Sequence, residues 1–292
     1  MPGRIECYLD IASFYSYVAF VQLLKNKDLL EQNSVEVELH PVLIAAINVG
    51  SGNKPPWSLP AKAAYGRHDM QRAARSVGLK DVSPPGNLME AGKTMLPMRA
   101  LLYIKSAYPP AVYTTTFHYL FHAFWTLRQA PTTPSALSAA LLSVPKSFPL
   151  SPSPSPVSSF PPPSPPPDLL LFTPADVSRV LAAAASLPCK DALKANVDAA
   201  LSRGAFGAPW LWVTRYGGGG KGKGGGGGGN EAGGDGEGDG KGKGKEGAGE
   251  EEEQSEPFFG SDRWHFVYEF LGLPYRDVEL LAPGAAKTGA RL

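Results

Sequence analysis

Asp10-Ile11-Ala12-Ser13-Phe14-Tyr15-Ser16-Tyr17 stands between two different residue patterns. Before it, Arg4-Ile5-Glu6-Cys7-Tyr8-Leu9-Asp10 reads as a short strand. After a turn at Ile11 to Ser13, the apolar residues Val18, Val21 and Leu24 share one face of a helix reaching about Lys27. Val35, Val37 and Leu39 then alternate with Glu36, Glu38 and His40, the period of a strand. Strand, helix and strand in this order predict a parallel pair joined by a right-handed crossover.

The chain has 292 residues, room for one large domain or two smaller ones. Hydrophobic residues make up 43%, enough for a packed core, whereas Gly (33) and Pro (29) are in excess and clustered. Without the clusters about 230 residues of ordinary globular composition remain. A formal net charge of +1 gives no reason to expect nucleic acid or an anionic membrane as partner. Two cysteines, Cys7 and Cys189, are too few for a disulfide scaffold and suit a reducing compartment. No apolar run approaches the roughly 20 residues of a membrane-spanning helix. The run from Ile11 to Leu24 has the length of a signal-peptide core. Glu6 and Asp10 precede it, however, no small-residue cleavage site follows cleanly, and the N-terminus is not Arg-rich and acid-poor like a mitochondrial transit peptide. The segment is therefore expected to belong to the fold.

Beyond a Gly/Pro-rich turn at Gly50-Ser51-Gly52-Asn53-Lys54-Pro55-Pro56, helical patterns dominate to about residue 203, at roughly 60–78, 88–107, 109–127, 134–144, 174–186 and 190–203. Ser151 to Pro167, where Ser and Pro almost alternate, interrupts them, a composition that prefers extended, solvated backbone. Gly204-Ala205-Phe206-Gly207-Ala208-Pro209 leads into a candidate strand, Trp210-Leu211-Trp212-Val213-Thr214. From Gly217 to about Glu256 the chain is Gly, Lys, Asp and Glu, with five lysines against ten acidic residues. Order is expected to return at Pro257-Phe258-Phe259, ahead of Gly260-Ser261-Asp262-Arg263 and a helix to about Leu271. The Gly-rich stretch lies where a hairpin loop belongs. Lengthening such a loop from about five to about forty residues is three doublings at about 0.6 kcal/mol each, a tolerable cost. Gly-x-Gly-x-x-Gly matches are inevitable within it and lack a strand-to-helix frame, so no phosphate site is expected; its acidity also speaks against nucleic acid.

Three separated pieces combine into one chemical proposition. In a thioredoxin-type fold the first strand-to-helix turn carries Cys-x-x-Cys, and a cis-proline faces it. Here the turn reads Ser13-Phe14-Tyr15-Ser16, which excludes disulfide exchange there. A hydroxyl at a helix N-terminus can still donate to a thiolate, and the helix macrodipole favours the same charge, lowering a bound thiol's pKa. Ala208, before Pro209, would lend its backbone to an extended peptide, and Ser261 with Asp262 at a helix start would take a carboxylate and an amino group. A serine ahead of a helix is more often an N-cap than a catalyst, and Gly260-Ser261-Asp262-Arg263 reads equally well as a capping sequence. The combination carries the weight, and glutathione's γ-glutamyl end presents both groups.

Ser13-Phe14-Tyr15-Ser16-Tyr17 resembles the Ser-Pro-Tyr-Ser-Trp turn of kappa-class glutathione transferases, relatives of the disulfide oxidoreductase DsbA and of 2-hydroxychromene-2-carboxylate isomerases. Gly52 to Pro56 with Leu59-Pro60-Ala61-Lys62, then Gly204 to Pro209, then Phe258 to Arg263 resemble further segments of that family, in the family's order. The resemblance spans about 4–273 apart from the insertions. It implies an α/β thioredoxin-like fold with an inserted all-helical domain, usually a homodimer, with two low-complexity disordered insertions added here. The first thioredoxin-like part would be 1–54 and the helical domain 55–203, with the Ser/Pro-rich insertion at 146–168. The second part would be 204–275, with the Gly-rich insertion at 217–256, and a tail would follow at 276–292.

The implied activity is transfer of glutathione, as co-substrate, to hydrophobic electrophiles in detoxification, or glutathione-dependent reduction of organic peroxides. No other cofactor, metal, nucleic acid or membrane is implied. By position Ser13 matches the thiol-activating serine, with Phe14 and Tyr15 beside it in the glutathione-binding turn. Asn53 matches a glutathione contact, Lys62 a partner for the glycyl carboxylate, Ala208 and Pro209 the cysteinyl pairing site, and Ser261 and Asp262 the γ-glutamyl site. Phe14 departs from the family's proline, which is pre-organised for a helix start, so a looser turn or a reshaped electrophile pocket is expected. The rivals are an isomerase resembling the hydroxychromene carboxylate enzymes and a non-enzymatic glutathione-binding module.

Other signals are set aside. His118 and His122 stand one helical turn apart without a third ligand, and the aromatics from Phe117 to Trp125 read as core or dimer interface. Cys7 is expected to be buried and inert, and Cys189 a bystander. The ending Ala290-Arg291-Leu292 follows the small–basic–Leu pattern of a peroxisomal address; mitochondria are the alternative by family analogy.

Overall fold

A computed structural model of the chain describes residues 3–150, 167–217 and 253–276. Most of the Ser/Pro-rich and Gly-rich insertions, the tail and its final tripeptide lie outside these residues. The order is β1 (Gly3–Leu9), α1 (Phe14–Lys25), α2 (Lys27–Gln32), β2 (Val35–Pro41), α3 (Ile44–Ser51), α4 (Pro60–Ser76), α5 (Leu88–Ala91), α6 (Met95–Ala107), α7 (Pro110–Trp125), α8 (Pro134–Leu141), α9 (Pro174–Ala185), α10 (Leu187–Ser202), β3 (Trp210–Arg215), β4 (Gln254–Phe259) and α11 (Trp264–Phe270). The sheet order is β2-β1-β3-β4, with β1 and β2 parallel and the other two pairings antiparallel. The architecture is thus α/β, a thioredoxin-like sheet interrupted by a helical insertion.

Alternation along the central strand β1 divides the core between the two sheet faces. Ile5, Cys7 and Leu9 point to α1 and α7, whereas Tyr8 joins Trp210, Val42, Ile47, Val197 and Ala200 beneath α3 and α10. Aromatic stacking locks α1 to α7: the rings of Tyr17 and Phe121 lie 5.1 Å apart and nearly parallel, as do those of Phe117 and Phe121, and Phe20 sits beside both Phe117 and Phe121. Proline at the first position starts α4, α7 and α9, where its missing N–H costs nothing. A capping box between Thr173 and Asp176 adds to the start of α9.

Four expectations needed correction. α3 was not anticipated: its residues are mostly apolar, with Asn48 and Ser51 too few to mark a polar face, and it ends on Gly52 in the left-handed conformation (φ 75°). The helix expected over 88–107 is two, broken at Gly92-Lys93-Thr94. β4 begins at Gln254 rather than after the Gly-rich stretch, because pairing with Arg215 recruits polar residues with little strand preference of their own. Pro257 is accommodated because β4 is an edge strand. The Ser/Pro-rich insertion is also shorter than 146–168. Pro145 bridges Leu170, Lys146 N–H donates to Leu169 O at 2.8 Å, and Phe148 packs on His118 and His122.

Candidate functional site

Ser13 is the N-cap of α1, with extended backbone and a buried side chain. Its Oγ accepts the Ser16 N–H at 3.1 Å and donates to the carbonyl of Ala208 at 2.8 Å. The Ala208–Pro209 bond is cis. The turn after β1 and the entry to β3, 195 residues apart, therefore meet at one hydroxyl.

The turn is held from below by Asp10, which is fully buried. Its Oδ1 accepts from Ala12 N–H (2.9 Å) and Thr94 Oγ1 (2.8 Å), its Oδ2 from Ile44 N–H (2.8 Å), and its carbonyl from Ser13 N–H (2.9 Å). Burial pushes this carboxyl up to about 6, against the partial opposition of those three donors. Phe14 turns away from the site. It is buried against Trp125 at 5.3 Å, and the indole N–H of Trp125 donates to Ile11 O at 2.8 Å. Packing by this aromatic pair thus anchors the turn where a proline would have stiffened it, and Phe14 offers no side chain to a ligand there.

Tyr15 points outward to the helical domain. Its hydroxyl donates to Asp69 Oδ2 at 2.5 Å, and Tyr65 donates to Asp69 Oδ1 at 3.1 Å. Burial, then Asp69, raises the Tyr15 phenol, and Asp262 contributes in the same sense. Asn53 donates to Phe206 O at 2.6 Å, tying the loop after α3 to the segment before the cis-proline. Ser261 and Asp262 fall in the turn after β4, and Arg263 is the helix N-cap, so the two residues precede the helix rather than open it. Asp262 lies 3.4 Å from Arg263, and Gly260 takes φ 99°, a conformation that favours glycine. Lys62 is exposed on α4.

Residues 4–144 match the family model described as a DSBA-like thioredoxin domain. The fold is a DsbA-like thioredoxin fold. Two curated proteins named glutathione S-transferase kappa 1 are similar in sequence. The one from Caenorhabditis elegans is 33% identical over 82 residues, covering 28% of this chain and 35% of that protein. The one from Homo sapiens is 34% identical over 71 residues, covering 24% and 30%. The matched segments thus span about a third of those relatives' length. A solved 2-hydroxychromene-2-carboxylate isomerase superposes over 92% of this chain and 94% of its own with TM-score 0.55 at 16% identity, a likeness of fold.

Of the residues expected at the site, the fold brings Ser13 to Ala208 and ties Asn53 to Phe206 O, whereas Asp10, Tyr65, Asp69, Thr94 and Trp125, which hold the turn and Tyr15, were not expected there. The only signal for Asp69 was its position four residues after Tyr65, one helical turn on. A groove of about 800 Å³ lined by Phe20, Leu23, Val35 and Val37 lies along the outer edge of β2, away from Ser13.

Glu6, Glu38 and His40 lie close enough together to suggest a metal. Their carboxylates are already taken: Arg203 sits 2.9 Å from Glu6, Lys105 2.7 Å and Arg4 2.5 Å from Glu38. Although His40 Nε2 is 3.5 Å from Glu6, burial and then Lys105 outweigh the attraction and push the imidazole down to about 4.

Tyr15→Phe is expected to lower stability by about 1–2 kcal/mol, since it removes a hydrogen bond to a charged group yet leaves Asp69 its bond from Tyr65. Urea denaturation measures this, and an unchanged midpoint would deny that the Tyr15–Asp69 contact joins the two parts.

Acid stability follows from the buried imidazoles. Burial pushes His118 down to about 3 and His122 to about 4, alongside His40 at about 4. A histidine depressed on folding stabilises above its unfolded value of 6.5, and that stability is lost as pH falls through the folded value. Across that window the unfolded chain holds more protons on these three imidazoles than the folded chain does, so each of them takes stability away as pH falls. Asp10 acts oppositely: raised on folding, its contribution is present below 3.8 and lost as pH rises through about 6, worth about 3 kcal/mol. The histidines dominate. Urea midpoints are expected to fall steadily from pH 6.5 to 4.5, and a flat or rising profile would contradict this.

Proposed function

We propose that the chain is a glutathione transferase that activates the glutathione thiol with Ser13, transferring the sulfur to electrophilic small molecules or using it to reduce organic peroxides. The observation that carries the reading is the meeting of Ser13 Oγ with Ala208 O across 2.8 Å at the mouth of α1.

That contact is the right one for a peptide to displace. An incoming cysteinyl unit lying antiparallel to Ala208 would give its own N–H to the Ala208 carbonyl. The Ser13 hydroxyl would be released to rotate toward the sulfur. Ser16 N–H would continue to donate to Ser13 Oγ, fixing the oxygen while its proton is redirected. A hydrogen bond to the charged form and the positive end of α1 both favour thiolate over thiol, and the released proton passes to solvent. The thiolate then attacks the electrophilic carbon, forming the S–C bond as the leaving group departs with the bonding electrons.

Asp262, near Tyr15, is suited to the γ-glutamyl amino group, Ser261 to its carboxylate and Lys62 to the glycyl carboxylate. Asn53, which already reaches Phe206 O, would border the peptide from the other side. Isothermal titration with glutathione beside an aryl-halide conjugation assay tests this reading. Saturable binding with turnover supports it. Binding without turnover would leave a glutathione-binding module, and no binding would end the reading. Turnover of hydroxychromene carboxylates in place of conjugation would assign the same thiolate to isomerisation.

A further inference from the structure

We propose that Asp10 is the positioning residue of the Ser13 site, holding three separate chain segments on one buried carboxylate. The first is the turn itself, through Ala12 N–H to Oδ1 and Ser13 N–H to the Asp10 carbonyl. The second is α3, whose first N–H, from Ile44, donates to Oδ2. That helix ends at Gly52, next to Asn53. The third is the start of α6, through Thr94 Oγ1, at 2.8 Å and 3.1 Å from the two oxygens. Asp10 and Thr94 are both wholly inaccessible to solvent.

Three donors converge on two oxygens, which only an ionised carboxylate of this length satisfies. An asparagine would turn its amide N–H toward the N–H of either Ala12 or Ile44 and leave that group unpaired in the interior. The groups facing the carboxylate are all neutral donors, and among the described residues no cation acts on it. The first turn of α3 adds its end dipole, a modest attraction. Nature's usual device for a structural buried acid is a paired cation; three directed donors instead specify position, because each fixes where a different segment must lie. The segments so fixed carry Ser13, lead to Asn53, and anchor the helical domain beside the turn.

For its kinetic arm this inference rests on the function proposed above, so the test has a second arm that does not. Asp10→Asn, Thr94→Val and Thr94→Ser would be compared with the wild type. Asp10→Asn is expected to raise the bound glutathione thiol's pKa, read from thiolate absorbance against pH, by about one unit. Turnover should drop by about tenfold or more, because the hydroxyl is misplaced rather than removed, with glutathione affinity within about threefold. Thr94→Val should move the same readouts by less, and Thr94→Ser should restore them. Independently, amide exchange at Ala12, Ser13 and Ile44 should quicken at least about tenfold in Asp10→Asn while Cys7 in β1 stays protected. If Asp10→Asn does not fold, the Thr94 pair decides. Folded variants with wild-type thiol pKa, turnover and exchange would overturn the proposal. If the wild type itself binds no glutathione, the functional reading fails, and the exchange arm alone upholds or overturns the positioning role.

Discussion

Replacing Ser13 by alanine is expected to cut turnover about ten- to a hundredfold while leaving glutathione affinity within about threefold. A hydrogen bond to a charged partner is worth about 1.5–3 kcal/mol, and this one would be made chiefly to the thiolate rather than to the tripeptide as a whole. Its loss therefore falls on the rate. The other groups proposed to hold the tripeptide, Asn53, Ala208, Ser261 and Asp262, are untouched by the substitution, so binding should survive. A cost to stability accompanies it, because Ser13 also caps α1 by accepting the Ser16 N–H, and loss of such a cap typically costs about 1 kcal/mol. Measuring the thiolate titration of bound glutathione in parallel separates the two roles. The pKa should rise in the alanine variant whatever happens to the melting curve. An unchanged rate with an unchanged thiol pKa would mean that Ser13 is a cap and nothing more.

Trp125→Ala should be the most damaging single truncation near the site, at about 3–5 kcal/mol of stability. The indole is 3% exposed, ends α7, and packs against Phe14 and Phe124. Its N–H satisfies the carbonyl of Ile11, two residues before Ser13. Truncation opens a cavity and leaves a buried carbonyl without its partner, two penalties that add. Because both fall on the turn that carries Ser13, the proposed transferase activity of the residual folded protein should also be slower at saturating glutathione. Trp125→Phe restores most of the volume and forfeits the hydrogen bond, so it should cost about 1–3 kcal/mol. Chemical denaturation of the two variants gives the comparison directly. A loss below about 1.5 kcal/mol for the alanine variant would show that Phe14 and the turn are held by something other than this ring.

The turn from Asp10 to Tyr17 was readable because strand and helix announce themselves by period, and their junction by the change of period. For the same reason the strand over Val35 to Leu39 was readable, and α3 was not: Ile47 is its one buried residue, apolar Val49 is exposed, and no polar face marks its phase. Phe14 shows another limit. As a departure from proline it suggested a looser turn. In the folded chain it is the residue that Trp125 clamps, a compensation contributed by a side chain 111 positions away that no local reading could supply. β4 is similar, since Gln254 to Glu256 become strand only because β3 offers a ladder to complete.

Sequence alone determined the strand–helix–strand opening, the absence of a Cys-x-x-Cys couple at the first turn, and the residue types able to hold a thiolate there. These are local properties: backbone preference, side-chain period and the chemistry of a hydroxyl. Tertiary structure alone decided that Ser13 meets Ala208, that Asp69 gathers Tyr15 and Tyr65, and that Asp10 collects donors from three segments. Each of these depends on where distant segments lie in space, which is set by how the two faces of the sheet bury their apolar residues and not by the identity of the polar groups that are thereby brought together.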